Sequence, residues 1–205
     1  MIRSTRISQR GNETRPAAVR ALILYPMNAL VEDQLSRLRH ALDSAAAREW
    51  YSARRGGNRF YFGRYNSDTP VPGQELREPD RHGRRNPNRN KIQELEKRLR
   101  DAQHAAEAAL EKARSEGDPD IVNFFPRLDG SEMRSRWDMQ DSPPDILITN
   151  FSMLSIMLMR EADDPIITKT REWLEREGSV FHLVVDELHL YRGTAGTEVA
   201  QLLRL

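Results

Sequence analysis

The sequence predicts an α/β fold, a parallel sheet flanked by helices, and three observations predict it. Apolar runs near residues 21, 60, 146 and 181 have the length and composition of strands. The stretches between them carry apolar residues at three- and four-residue spacing, the mark of helices with one buried face. Three of the runs end abruptly in polar residues. Strands buried on both faces do this where their carboxyl ends open on a crevice, which is where ligands collect in such sheets.

In chain order, residues 1–19 are polar and basic, with Gly11-Asn12-Glu13-Thr14-Arg15-Pro16 as a loop. The first strand spans about Ala21 to Tyr25, and Pro26 stops it. Leu30, Leu35, Leu38 and Leu42 then repeat at helical spacing, with Glu32, Asp33, Arg37 and Arg39 for the wet side. Phe60-Tyr61-Phe62-Gly63-Arg64-Tyr65-Asn66 reads as a strand closed by Asp68-Thr69-Pro70. Its four aromatics, with Arg59 and Arg64, fit either an ordinary sheet strand or a stacking platform for single-stranded nucleic acid.

Residues 73–130 read as a charged loop-and-helix insertion. Gly73 to Asn90 is rich in Pro, Gly, Asn and Arg and is expected to be irregular. Its Arg77, Arg81, Arg84, Arg85 and Arg89 fit a solvated loop or a contact with a phosphate backbone. From Lys91 to about Ser115 a helix is expected, with Ile92, Leu95, Leu99, Ala102, Ala106, Ala109 and Ala113 on one stripe. Glu94 with Arg98 and Glu96 with Arg100 add i,i+4 pairs. The stripe is narrow and mostly Ala, so light packing against one partner follows. Pro143-Pro144 then enforce an extended approach to the strand Ile146-Leu147-Ile148, which Thr149-Asn150 end. A helix follows through Met153, Leu154, Met157 and Leu158, and another through Ile167, Trp173 and Leu174 to about Gly178.

Composition narrows the class. With 38% hydrophobic and 31% charged residues, one core plus a polar excursion is expected. The absence of Cys excludes disulfides and thiolate metal sites, and the five His show no zinc-ligand spacing. No apolar run approaches the roughly 18 residues of a membrane span, so no membrane partner and a cytoplasmic location are expected. A net charge of +1 gives no global attraction to nucleic acid, and binding there must come from local patches.

The chemistry concentrates in Val184-Val185-Asp186-Glu187-Leu188-His189. Phosphoryl transfer to water needs one carboxylate to hold Mg²⁺, usually through its water shell, and another group to orient or deprotonate the water. Asp186 and Glu187, released together at a strand end, can divide those tasks. Alternatively, an Asp-Glu pair after an apolar run caps the next helix or merely ends the strand.

Asp186-Glu187-Leu188-His189 resembles motif II, the DExH box, of superfamily 2 helicases. Leu22 to Gln34, with Pro26, Asn28 and Leu30 in its turn, is similar to motif Ia of that superfamily. Asp145-Ile146-Leu147-Ile148-Thr149-Asn150-Phe151-Ser152-Met153-Leu154 resembles the next strand-and-turn element, whose Thr touches the nucleic-acid backbone. The Asn28 variant, the Thr149-Asn150 pair and Tyr191-Arg192-Gly193-Thr194 look closest to large bacterial helicases of repair and phage-defence systems.

The resemblance implies a RecA-like fold of the P-loop NTPase type, here part of a first domain. It implies ATP and Mg²⁺ as cofactors, with Asp186 as the magnesium carboxylate and Glu187 as base or orienter for water. His189 would hydrogen-bond to a second RecA-like domain, and Pro26, Asn28, Thr149 and Asn150 would face nucleic acid, DNA rather than RNA. Thr149 and Asn150 also fit a simpler role, Asn150 or Ser152 capping the next helix. The family's phosphate loop, Gly-x-x-x-x-Gly-Lys-Ser/Thr, has no match, since no Gly here precedes Lys. The sequence is therefore expected to begin after motif I, to end before the second domain, and to be a poor ATPase alone. The expected function is part of an ATP-driven helicase or translocase. A non-catalytic or split-subunit module needing a partner with the phosphate loop is the alternative, and a metal-dependent nuclease a weaker one.

Overall fold

A computed structural model describes residues 14–26, 31–187 and 189 of the chain. Five strands form one all-parallel sheet: β1 (Ala21–Tyr25), β2 (Phe62–Tyr65), β3 (Glu132–Met133), β4 (Ile146–Asn150) and β5 (His182–Val185). Their order across the sheet is β3-β2-β4-β1-β5. The α/β class and the four sequence-predicted strands are present, and β3 is an addition at one edge. The helices are α1 (Val31–Asp43), α2 (Ala45–Arg55), α3 (Arg89–Glu116), α4 (Arg136–Asp141), α5 (Phe151–Met159) and α6 (Asp164–Leu174), with 3-10 turns at Pro119–Phe124 and Glu161–Asp163.

The period of two along each strand divides the core between two faces. On one, Leu22, Leu24, Tyr61, Tyr65 and Leu147 pack with Met139, Met153, Met157 and Ile166 of α4, α5 and α6. On the other, Tyr25, Phe62 and Ile148 meet Val31 and Leu35 of α1. The β2 aromatics therefore serve the sheet, since Tyr61, Phe62 and Tyr65 are buried. Phe60 lies beneath the guanidinium groups of Arg15 and Arg55. A stacking platform for bases is not available there.

The insertion helix α3 matches its sequence expectation closely and buries only Leu95, Ala109 and Ala113. Leu95 joins Val71 and Trp137 in a small third cluster. The insertion is clamped at its far end by Arg39 of α1, whose guanidinium meets Glu132 of β3 at 2.5 and 3.1 Å and donates to the Phe124 carbonyl at 3.1 Å. Burial works against the Arg39 charge, but Glu132 and Glu32 outweigh it and hold its pKa above the ordinary value.

Asp43 at the end of α1 is buried against Gly130, and that burial pushes its carboxyl pKa up despite the Ser131 hydrogen bond. A Cβ at Gly130 would stand 2.3 Å from Asp43 Oδ2 and 3.1 Å from the Arg127 carbonyl. Gly130→Ala is therefore expected to destabilise by about 1–3 kcal/mol. Thermal unfolding should show the drop, and Asp43→Ala in the same chain should recover most of it. A neutral Gly130→Ala would contradict this packing.

Candidate functional site

Register places the ends of four strands in one row. Leu24 of β1 pairs with Thr149 of β4 and Val185 of β5, Tyr25 pairs with Asn150, and Tyr65 of β2 pairs with Thr149. The next residues, Pro26, Asp186 and Asn66, emerge together at the carboxyl edge. This is where a parallel sheet presents ligand-binding groups. Of the sequence-predicted site residues, Pro26, Thr149, Asn150, Asp186 and Glu187 are strand-end residues in this row. Asn28 lies outside the described residues, as does the Tyr191–Thr194 tail.

The acidic pair has defined geometry. The Asp186 amide donates to the Leu24 carbonyl at 2.9 Å, extending the β1–β5 ladder by one bond. Its side chain turns back so that Oδ1 accepts from the Glu187 amide at 3.0 Å. Glu187 adopts φ +50°, a left-handed conformation that L residues rarely occupy. Its carboxylate Oε2 lies 3.1 Å from His189 Nδ1, and both side chains are solvent-accessible. Burial first and the Asp186 charge second push the Tyr25 phenol pKa up, consistent with the two side chains being neighbours.

Thr149 and Asn150 are committed to the fold as well as to the row. Thr149 is buried and its hydroxyl donates to the Tyr65 carbonyl at 2.6 Å, tying β4 to β2. Asn150 Oδ1 accepts from the Met153 amide at 2.8 Å and caps α5. Capping by Asn150 was one of the two roles the sequence allowed. Its partly exposed position leaves the other open.

Two residues not singled out from sequence share this edge. Asn66 and Thr69 close a tight turn after β2: Thr69 Oγ1 donates to the Arg64 carbonyl at 2.8 Å, and Asn66 Oδ1 accepts from the Asp68 amide at 3.1 Å. Asn66 is 2% exposed and its Nδ2 has no partner among the described residues. Their signal in the sequence is Asn-Ser-Asp-Thr-Pro, a run of turn formers that marks the end of the strand without showing which polar atoms the turn buries. Behind the turn, the Tyr65 hydroxyl donates to Asp163, and Gln140 and Arg160 donate to the same carboxylate at 2.8 Å each. Burial and the Asp163 hydrogen bond push the Tyr65 phenol pKa far up, so it remains a proton donor.

Two adjacent carboxylates fit a hydrated divalent cation, which needs only one or two such groups. Among the described residues no three His, Asp or Glu side chains gather as a closed metal cage. A cavity of about 600 Å³ lies elsewhere, between the α1–α2 corner and the end of α3, lined by Arg39, His40, Asp43, Leu110 and Phe125. None of the residues in the strand-end row lines it.

Comparison with known proteins gives one informative likeness. The chain is 35% identical over 224 aligned positions to Druantia protein DruE of Escherichia coli (strain UMEA 4076-1). That alignment takes in 96% of this chain and 12% of DruE, so the chain spans about one eighth of this relative's length. No family model and no solved structure matches the chain. No helix among the described residues is long and apolar enough to cross a membrane.

Proposed function

We propose that this chain is part of an ATP-dependent nucleic-acid helicase or translocase, contributing the acidic side of an ATP-hydrolysis site and one wall of a nucleic-acid track. The observation that carries the reading is the row of strand ends. It sets Asp186-Glu187 beside Pro26 on β1, with Thr149-Asn150 on the next strand over. Hydrolysis and nucleic-acid contact on neighbouring strands of one rigid sheet can be coupled by small movements of that edge. Pro26, Thr149, Asn150, Asp186 and Glu187, the strand-end residues in this row, come from the three segments that resemble helicase motifs.

In this reading Asp186 would hold a hydrated Mg²⁺, which would supply positive charge beside the phosphates of bound ATP. Glu187 orients the attacking water and accepts its proton, and His189, in contact with the Glu187 carboxylate, steadies it. The phosphates are cradled by a glycine-rich loop elsewhere in the full-length protein. The chain aligns with about one eighth of DruE, a much longer protein.

The test is ATP hydrolysis by the full-length protein with and without single-stranded DNA or RNA. Stimulation by nucleic acid, DNA above RNA, is expected, and Asp186→Asn should abolish it. Hydrolysis that Asp186→Asn leaves unchanged overturns the assignment. Nucleic-acid binding with no hydrolysis favours the non-catalytic module instead.

A further inference from the structure

We propose that the arginine hairpin at residues 76–87 is a second nucleic-acid contact, an arm that grips the phosphate backbone outside the row of strand ends. It rests on the reading of the chain as part of a nucleic-acid motor. Sequence left this stretch open between a solvated loop and a phosphate contact, and the structure supplies a built geometry. Leu76 and Pro87 form an antiparallel bridge, flanked by the Arg77 amide to the Asn86 carbonyl at 2.8 Å and the Asn88 amide to the Glu75 carbonyl at 2.9 Å. The tip is closed by Asp80, whose Oδ1 accepts from the His82 and Arg84 amides at 2.8 and 2.9 Å, with Gly83 at φ +72°.

On this frame Arg77, Arg81, Arg84, Arg85 and Arg89 are all exposed. Only Arg84 is paired, with Asp80 at 3.3 Å, and the other four side chains have no ion pair among the described residues. Residues 77–91 hold six Arg and Lys against two acids, in a chain whose net charge is only +1. The positive charge is thus concentrated here while the remainder is net acidic. Such a local surplus is what counterion release from a polyanion requires.

The base of the hairpin is fixed to the nucleic-acid edge. Val71 is buried with Leu95 and Trp137, Trp137 Nε1 donates to the Gly73 carbonyl at 2.8 Å, and the Arg136 amide donates to the Pro70 carbonyl at 3.2 Å. Pro70 directly follows Thr69 of the strand-end turn. The arm therefore springs from the row by a short, anchored path. Its chemistry points to nucleic acid rather than a bilayer or protein pocket. Leu76 at its base is the exposed large apolar side chain of the hairpin, and residues 77–90 add only His82 and two prolines, too little apolar surface to insert in lipid or fill a hot-spot cavity. Asn86, Asn88 and Asn90 interleave with the arginines as neutral hydrogen-bonding groups of the kind that contact phosphate and sugar.

The test compares the full-length protein with Arg77→Ala/Arg81→Ala/Arg85→Ala, using fluorescein-labelled 30-nucleotide single-stranded and 30-base-pair DNA over a salt series. Loss of three phosphate contacts should lower the slope of log K against log salt by about 2 to 3 units and weaken binding at least tenfold. A control triple variant of the exposed α3 residues, Lys97→Ala/Arg100→Ala/Lys112→Ala, removes the same charge and should leave the slope unchanged. Equal losses in the two variants, or none in the hairpin variant, overturn the proposal. So does hairpin-dependent capture by anionic vesicles or polyglutamate with DNA affinity unchanged. None of these results bears on ATP hydrolysis, which tests the underlying assignment separately.

Discussion

Glu187→Gln in the full-length protein is expected to lower nucleic-acid-stimulated ATP hydrolysis by about 10²- to 10⁴-fold, the usual contribution of a positioned general base. ATP binding should persist. Glutamine preserves the size of the side chain and can still contact His189, which faces Glu187 at 3.1 Å, but it cannot accept a proton from water. The backbone strengthens the expectation. At φ +50° an L residue costs about 1–2 kcal/mol relative to the right-handed region, and Gly would occupy the position without that cost. Retaining Glu in a conformation that favours Gly is the pattern of a residue held for its side chain. Glu187→Gly should therefore relieve strain and still lose turnover, which separates a chemical role from a structural one. Rates for the Gln variant within a factor of two of wild type would sink the assignment.

How far this site could be read from sequence depends on the range of the forces that build it. The strands at β1, β2, β4 and β5 were legible because unbroken apolar runs are a local signal, as was α3 with its repeating stripe. Strand β3 was not. It has two residues, and its Glu132 is buried only because Arg39, 93 positions away, neutralises it. Helix α2 is equally faint in the sequence, although Ser44 caps it in the usual way, because Ala45–Arg55 buries only Tyr51 and so has almost no apolar stripe. At the site, the sequence supplied the residues and the sheet register supplied their adjacency. That Thr149 turns its hydroxyl inward to the Tyr65 carbonyl depends on β2 lying next to β4, which no pattern within either strand encodes.

The same long-range pair sets the second large effect. Glu132→Gln is expected to cost up to about 3–5 kcal/mol, because it removes the buried one of the two carboxylates that face the buried Arg39 guanidinium. Arg39 is only 5% exposed and Glu132 6%, so solvent can do little to compensate. Glu32, the other carboxylate on Arg39, is itself half-exposed and shared with Arg64 at 2.7 Å. The loss should appear as faster hydrogen exchange in α1 and β3, by roughly two to three and a half orders of magnitude, with smaller changes in β1 and β5. Replacing both partners, Arg39→Met with Glu132→Leu, should restore much of the protection, since an apolar pair of similar volume carries no unpaired charge. The double variant should not restore everything. Arg39 also donates to the Phe124 carbonyl and so holds the end of the insertion against α1. Protection recovering in α1 and β3 but not across Pro119–Phe124 is the expected signature of a clamp with two separable jobs. Uniform recovery would mean that Pro119–Phe124 is held without Arg39, by packing and by contacts such as His40 with Asn123 at 3.0 Å.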